Sequence, residues 1–239
     1  MSSNPGRSWL IVALSKAAVV DLATTSGADV VVLDLVEFVA EPGRAAARAA
    51  ARAAIERVST AGPQVYVQTT PATFRDDLPA CVGAGLAGVV ISRAESAREV
   101  SRIDQALGAL EQERGLKAGA LSLTLALETA RGNQDAHQLI TASPRVRAIT
   151  LGRADLVMDL RPEPSGEMHM MPYLMQRLVI LAGATGVTPL GAWWRAPDRG
   201  LLATPDNTLK AARRGRTMGF KGSLCLRPEQ VAALNTAYA

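Results

Sequence analysis

Residues 121–132 have the sequence Leu-Ser-Leu-Thr-Leu-Ala-Leu-Glu-Thr-Ala-Arg-Gly, and residues 146–156 have the sequence Val-Arg-Ala-Ile-Thr-Leu-Gly-Arg-Ala-Asp-Leu. Each segment begins with a short apolar run rich in branched side chains, which predicts a buried strand. Each also carries a single carboxylate, Glu128 or Asp155, where the strand gives way to a loop. If the two strands are neighbours in a parallel sheet, both carboxylates leave it at the same edge, where such sheets bind ligands.

The pair Glu128 and Asp155 predicts a magnesium site. Mg²⁺ prefers oxygen ligands and commonly takes one or two protein carboxylates, while water and substrate oxygens fill the remaining positions. The alternative is that each carboxylate caps the helix that follows its strand. Mg²⁺ is the only cofactor that the sequence predicts.

Strand-like segments recur along the whole chain and alternate with stretches that favour helices. Eight such strands over 239 residues match the size of a (β/α)₈ barrel. No repeat, linker or low-complexity stretch divides the chain, so we predict an α/β fold with one TIM-type barrel domain over residues 1–239. The predicted strands are Trp9–Ala13, Val30–Leu35, Val65–Gln68, Gly88–Ile91, Leu121–Glu128, Val146–Leu151, Pro189–Trp194 and Gly222–Leu226.

The composition excludes several classes of protein. Hydrophobic residues make up 48% of the chain and aromatic residues only 4%, which favours a helix-covered parallel sheet. The net charge of +4 comes without a basic stripe interleaved with aromatic residues, so no nucleic-acid partner is expected, and an anionic small substrate fits slightly better. No secretory leader and no apolar run of ~18 residues is present, so we expect a cytoplasmic protein without a membrane partner.

Several short motifs occur in an order that resembles one family of enzymes. The resemblance is to the citrate lyase β-subunit and malyl-CoA lyase branch of the HpcH/HpaI aldolase superfamily, and it covers nearly the whole chain. The motifs are Arg7-Ser8, Ser26-Gly-Ala-Asp-Val-Val-Val-Leu-Asp34-Leu35, Ala94-Glu95-Ser96, Glu128-Thr-Ala-Arg-Gly132, Gly152-Arg-Ala-Asp155-Leu156, Gly219-Phe-Lys-Gly222 and Pro228-Glu-Gln230.

The resemblance implies a TIM-type barrel that assembles as a homo-oligomer, a trimer or larger, with Mg²⁺ held by Glu128 and Asp155. It also implies reversible cleavage of a carbon–carbon bond in a hydroxyacyl thioester, giving a 2-oxo acid and an acyl thioester. The thioester partner is carried on CoA or on a carrier protein. Longer relatives continue past the position of Ala239 into a segment that closes over the site, and we expect that segment to be absent here.

The chain departs from the family pattern at the ends of the second and third strands. The family sequence Asp-Leu-Glu-Asp is replaced by Asp34-Leu-Val-Glu37, and the family Arg-x-Asn is replaced by Tyr66 and Gln68. Arginine and tyrosine are not exchangeable for holding a carboxylate, because only arginine offers a charged, bidentate fork. We therefore expect a retained metal site with an altered substrate specificity.

Six further residues complete the predicted site. Asp34, Glu37 and Tyr66 are the candidates for acid–base work, and Gln68, Arg131 and Arg153 are the candidates for substrate binding. The alternatives are that Asp34 and Glu37 bond to the start of the next helix, that Tyr66 and Gln68 only hold loops, and that the arginines form surface ion pairs. At the level of function, the alternative to a lyase is a barrel subunit that has lost catalysis and serves a partner protein.

Overall fold

The computed structural model of the protein describes residues 6–152, 159–160, 164–191 and 204–239. Eight parallel strands form a closed barrel in which each strand pairs with its neighbours in chain order and β8 pairs with β1. The predicted (β/α)₈ architecture is therefore confirmed. The strands are β1 Ser8–Ala13, β2 Val30–Asp34, β3 Gln64–Thr69, β4 Leu86–Ile91, β5 Ser122–Leu127, β6 Val146–Leu151, β7 Thr188–Gly191 and β8 Gly222–Cys225.

Helices cover the outside of the barrel. The longest is the Ala- and Arg-rich helix after β2, where strong helix formers and a proline in the first turn favour an unbroken run. The helices are α1 Ala17–Thr24, α2 Glu41–Thr60, α3 Phe74–Cys81, α4 Ala97–Glu113, α5 Ala130–Gln134, α6 Ala136–Thr141, α7 Pro164–Thr185, α8 Pro205–Met218 and α9 Val231–Ala237. Among the described residues, no helix combines the length and the apolar character needed to cross a membrane.

Two apolar layers form the core, and the alternation of side chains along each strand separates them. Leu123, Leu125 and Leu127 of β5 belong to the larger layer between the barrel and its helices. The smaller layer fills the inside of the barrel and contains Trp9 and Tyr66, whose ring centroids lie 4.7 Å apart. Polar residues on the inward face therefore stand out, because they point into this apolar interior.

The structure corrects some predicted boundaries. Residues 161–166 are predicted as a polar loop, but α7 already begins at Pro164, since proline suits the first turn of a helix. A single helix is predicted around Gln134–Thr141, whereas the chain forms the two short helices α5 and α6. The chain ends in a 3₁₀ turn, Pro228–Gln230, followed by α9, and neither was predicted.

Candidate active site

The candidate site lies at the carboxyl ends of the strands, inside the mouth of the barrel. A cavity there is lined by Glu128, Gln68, Thr150 and Gly152 together with apolar side chains. Active sites of (β/α)₈ enzymes are found at this end of the barrel, where the loops after the strands meet. The other lining residues are Ile11, Val90, Ala126, Leu224, Cys225 and Leu226.

Glu128 follows β5 directly and points into the cavity, as the inward positions Ala126 and Thr124 before it predict. Its side chain is buried, with 3% of its surface exposed. The backbone N–H of Arg93, at the end of β4, donates to Glu128 Oε2 at 3.0 Å. Arg93 adopts a φ of 53°, a left-handed conformation that is uncommon for residues other than glycine. This strained turn supplies a donor that fixes the carboxylate.

Gly152, at the end of β6, provides the space that the Glu128 side chain occupies. A Cβ atom at this position would collide with Glu128 Cγ, and it would lie only 2.8 Å from Glu128 Oε1. Real Cβ atoms do not approach other heavy atoms so closely, so any larger residue displaces the carboxylate. The glycine therefore matters for the position of Glu128 rather than for a turn.

Asp34 is fully buried and holds the loop that follows β2. Its Oδ1 accepts from the N–H groups of Val36 and Glu37, both at 3.2 Å, and its Oδ2 accepts from the N–H of Phe38 at 2.7 Å. This arrangement matches the alternative of hydrogen bonds toward the next helix. An acid–base role for Asp34 stays a prediction.

Glu37, Gln68 and Ser92 form a polar cluster across the ends of β2, β3 and β4. Gln68 Nε2 donates to Glu37 Oε1 at 3.1 Å and to Ser92 Oγ at 2.7 Å. Gln68 and Ser92 are buried, whereas Glu37 is exposed at the rim. Since Gln68 also lines the cavity, this cluster connects the exposed carboxylate of Glu37 with the surroundings of Glu128.

Tyr66 lies on the inward face of β3 but is not brought to this cluster. Its hydroxyl hydrogen-bonds Ser122 Oγ at 2.8 Å, and Ser122 is the first residue of β5, at the opposite end of the barrel. Burial raises the pKa of the Tyr66 phenol, and the bond with Ser122 offsets only part of that effect. Its ring packs against Trp9, and an acid–base role for Tyr66 stays a prediction.

Of the two predicted substrate-binding arginines and the predicted second metal ligand, the structure describes only Arg131. Arg131 lies on α5, directly above the end of β5, and its side chain is exposed. Arg153 and Asp155 lie outside the described residues. Their roles in substrate and metal binding therefore stay predictions.

Thr150 belongs to the site and was missed by the sequence reasoning. It lies on β6 two residues before Gly152, faces the cavity, and is 2% exposed. Its Oγ1 finds no hydrogen-bond partner among the residues that the structure describes. The available signal was its position on the inward face of β6, in line with Ala148 and Gly152.

The residues present fit a magnesium ion better than a softer metal. Within the described part of the chain, no group of three or more His, Cys, Asp or Glu side chains could hold a metal on its own. Mg²⁺ does not need such a group, because it is usually bound through one or two carboxylates. Glu128 supplies one buried carboxylate, the Thr150 hydroxyl in the same cavity has no partner among the described residues, and Asp155 is the predicted second ligand.

Comparison with known proteins identifies relatives along the whole chain. The family model described as HpcH/HpaI aldolase/citrate lyase matches residues 7–228. A citrate lyase subunit beta-like protein of Deinococcus radiodurans is 31% identical over 95% of this chain and 77% of its own length. The L-malyl-CoA/beta-methylmalyl-CoA lyase of Cereibacter sphaeroides is 27% identical over 99% of this chain and 80% of its own length.

Solved structures share the fold. The citrate lyase beta subunit of M. tuberculosis, solved in complex with oxaloacetate and magnesium, superposes with a TM-score of 0.75 at 24% sequence identity. The superposition covers 98% of this chain and 96% of that one. At 24% sequence identity, this structural similarity establishes the shared barrel fold. The reaction has to be inferred from the residues of the site.

Proposed function

This chain belongs to the HpcH/HpaI aldolase/citrate lyase family, and from that premise we propose that it is a Mg²⁺-dependent carbon–carbon lyase or aldolase. Its substrate is a 2-oxo acid or a hydroxyacyl thioester, with a specificity altered from that of citryl and malyl thioester enzymes. The observation that carries the proposal is the buried carboxylate of Glu128, which faces the cavity at the carboxyl end of the barrel. Citrate lyase and malyl-CoA lyase relatives at 27% to 31% identity support the reaction class.

Glu128 and Asp155 are the residues proposed to hold Mg²⁺. The bound ion supplies Lewis-acid stabilisation of the negative charge that develops next to the breaking bond. The Arg93 N–H and the space above Gly152 keep the Glu128 carboxylate in one orientation, which is how surrounding groups tune a metal site. Arg131 and Arg153 are proposed to attract the anionic substrate.

Proton transfer is assigned to Glu37 rather than to Asp34. Both carboxylate oxygens of Asp34 already accept backbone N–H groups, whereas Glu37 is exposed at the rim and oriented by Gln68. In the cleavage direction, Glu37 takes the proton of the substrate hydroxyl as the carbon–carbon bond breaks. The bonding electrons pass to the α-carbon of the acyl thioester fragment, which then takes up the proton held by Glu37, so that a 2-oxo acid and an acyl thioester are released.

The test is release of 2-oxo acid by the purified protein across malyl-, citramalyl- and citryl-type thioesters, carried on CoA and on a carrier protein. Each assay is run with Mg²⁺ and with a chelator, beside the Asp155→Asn variant. We expect turnover that requires both the metal and Asp155. If the wild type turns over none of these substrates and a stable partner protein is captured, the result would support the non-catalytic subunit instead.

The Gly152→Ala substitution is expected to lower turnover on the order of 10²-fold, because the new methyl group pushes Glu128 out of place. The carboxylate is retained, so this loss reports its position alone. Activity and Mg²⁺ affinity by titration calorimetry measure the effect. The matched control is Gly183→Ala on α7, where a Cβ atom meets nothing within 4 Å. Equal activity of the two variants would contradict the role of Gly152.

The Tyr66→Phe substitution is expected to leave turnover close to that of the wild type and to destabilise the fold by about 1 kcal/mol, through loss of the bond with Ser122. Chemical unfolding and steady-state kinetics separate the two effects. Tyr173→Phe is the control, since Tyr173 is 61% exposed on α7. A large loss of turnover in Tyr66→Phe alone would support the acid–base role predicted from the sequence.

A further inference from the structure

The Thr150 hydroxyl is a buried polar group that lines the cavity and has no hydrogen-bond partner among the residues that the structure describes. The side chain is 98% buried, since its exposure is 2%. Its strand neighbours in register are Ala126 on β5 and Leu190 on β7, which offer no side-chain acceptor or donor. Within the described part of the chain, Oγ1 makes no hydrogen bond.

An unsatisfied buried hydroxyl is unfavourable for folding, because its desolvation is not compensated. Threonine in a helix or strand often bonds a nearby backbone carbonyl, but this side chain bonds none of the carbonyls in the described ranges. Valine has almost the same shape and would fill the same space without that penalty. Because the chain has threonine here and not valine, we expect the hydroxyl to bond a molecule other than the protein.

The residues that line the cavity restrict the size and chemistry of the ligand that can reach Thr150. Thr150 shares this cavity with Glu128, the carboxylate assigned to the metal, whose side chain fills the space beside Gly152. Ile11, Val90 and Leu224 cover the other walls. A group that enters the cavity from the metal site is small, meets mostly carbon, and reaches the neutral polar side chains of Thr150 and Gln68. No arginine or lysine is among the described residues that line the cavity.

We infer that Thr150 is a ligand-binding residue whose hydroxyl hydrogen-bonds an oxygen of the 2-oxo acid beside Glu128. The inference rests on the proposed function and adds a specificity-determining residue to it. A neutral hydroxyl on β6 contributes recognition of the oxo acid in a cavity whose described lining contains no arginine or lysine. In the ligand-free enzyme the unsatisfied hydroxyl lowers the stability of the fold, and a bound ligand that hydrogen-bonds the hydroxyl offsets that loss.

The inference predicts effects of opposite sign on stability and on binding. Thr150→Val is expected to raise the unfolding temperature of the ligand-free protein by about 2 to 4 °C, because an orphaned hydroxyl becomes a methyl group. The same variant is expected to bind the oxo acid about tenfold more weakly. Thr150→Ser keeps the hydroxyl and is expected to keep the affinity.

The measurements are thermal unfolding without ligand, and titration calorimetry of pyruvate and of oxaloacetate in the presence of Mg²⁺, on wild type, Thr150→Val and Thr150→Ser. An unchanged or lower unfolding temperature for Thr150→Val would show that the hydroxyl is already bonded, to the protein or to a resident water molecule, and would overturn the inference. Wild-type affinity in Thr150→Val would also overturn it. Absence of binding by the wild type itself would overturn the proposed function together with this inference, so the two failures are distinguishable.

Discussion

Replacing Glu128 with glutamine is expected to remove Mg²⁺-dependent turnover, with a loss on the order of 10³-fold or more, since a metal contributes several kcal/mol to stabilising the transition state. Glutamine has the same size and retains an oxygen that can accept the N–H of Arg93, so the barrel should fold as before. Only the negative charge that faces the cavity is lost. Turnover and Mg²⁺ titration calorimetry measure the effect, and chemical unfolding reports the stability of the variant.

The matched control for Glu128→Gln is Glu113→Gln, because Glu113 is an exposed carboxylate at the end of α4. This control should keep wild-type turnover and affinity for Mg²⁺. Full activity of Glu128→Gln would remove the main support for the metal site. Loss of activity with unchanged Mg²⁺ affinity would assign Glu128 to the chemistry instead of to the metal.

Replacing Arg145 with methionine is expected to produce the largest loss of stability, about 3 to 5 kcal/mol at neutral pH, because it leaves a buried carboxylate without its cation. Arg145 Nη1 and Nη2 each donate to Glu111 at 2.7 Å, and the Glu111 side chain is 1% exposed. Burial opposes ionisation of Glu111, but Arg145 and the N–H groups of Leu121 and Gly119 outweigh it and hold the pKa of the carboxyl below its ordinary value. The network ties α4 to the start of β5 and β6.

The pH dependence separates this mechanism from a loss of packing. A carboxyl whose pKa is lowered by folding stabilises the native state above its unfolded pKa, about 4.3 for glutamate, and that contribution is lost as the pH falls through the folded pKa. Without Arg145 the pKa of Glu111 rises, so the deficit of the variant should be largest at neutral pH and should narrow in acid. Chemical unfolding at several pH values measures this.

The exposed residue Arg147, two positions further along, provides the control. The Arg147→Met variant is expected to change stability by no more than about 0.5 kcal/mol. A deficit in Arg145→Met that stays constant across the pH range would mean that the arginine contributes through its aliphatic packing, and the charge pairing with Glu111 would be secondary.

The barrel could be predicted because its strands carry local signals. Val30–Asp34 is apolar on both faces and ends in a carboxylate, which is the pattern of a parallel strand buried between a core and a helix layer. The same logic placed Glu128 at the cavity, since its position on the strand end and its inward phase are both fixed by the sequence of β5.

The roles of Asp34 and Tyr66 could not be decided in the same way. The sequence predicts which face of a strand a residue occupies, but not the direction in which a long side chain leans along the strand. Tyr66 therefore shares its face with Gln68 and yet bonds Ser122 at the far end. Asp34 is at a strand end, as predicted, but its bonding depends on how residues 36–38 turn back toward it.

The role of Thr150 could not be predicted from the sequence. Threonine is common in strands, so nothing in the local sequence marks it. Thr150 stands out because its strand neighbours Ala126 on β5 and Leu190 on β7 have no side-chain hydrogen-bonding groups. Both neighbours are more than 20 positions away in the chain, so the local sequence does not reveal them. The left-handed turn at Arg93, which aims an N–H at Glu128, likewise becomes visible only in three dimensions.

The most direct measurement of the central claim is oxo acid release by the wild-type protein from a malyl-type thioester, first with Mg²⁺, then with excess chelator, and then with Mg²⁺ restored, alongside Glu128→Gln. Turnover is expected to stop with the chelator, to return with Mg²⁺, and to be absent from the variant throughout. Turnover that persists in the chelator, or that Glu128→Gln retains, would contradict a metal-dependent lyase built on this carboxylate.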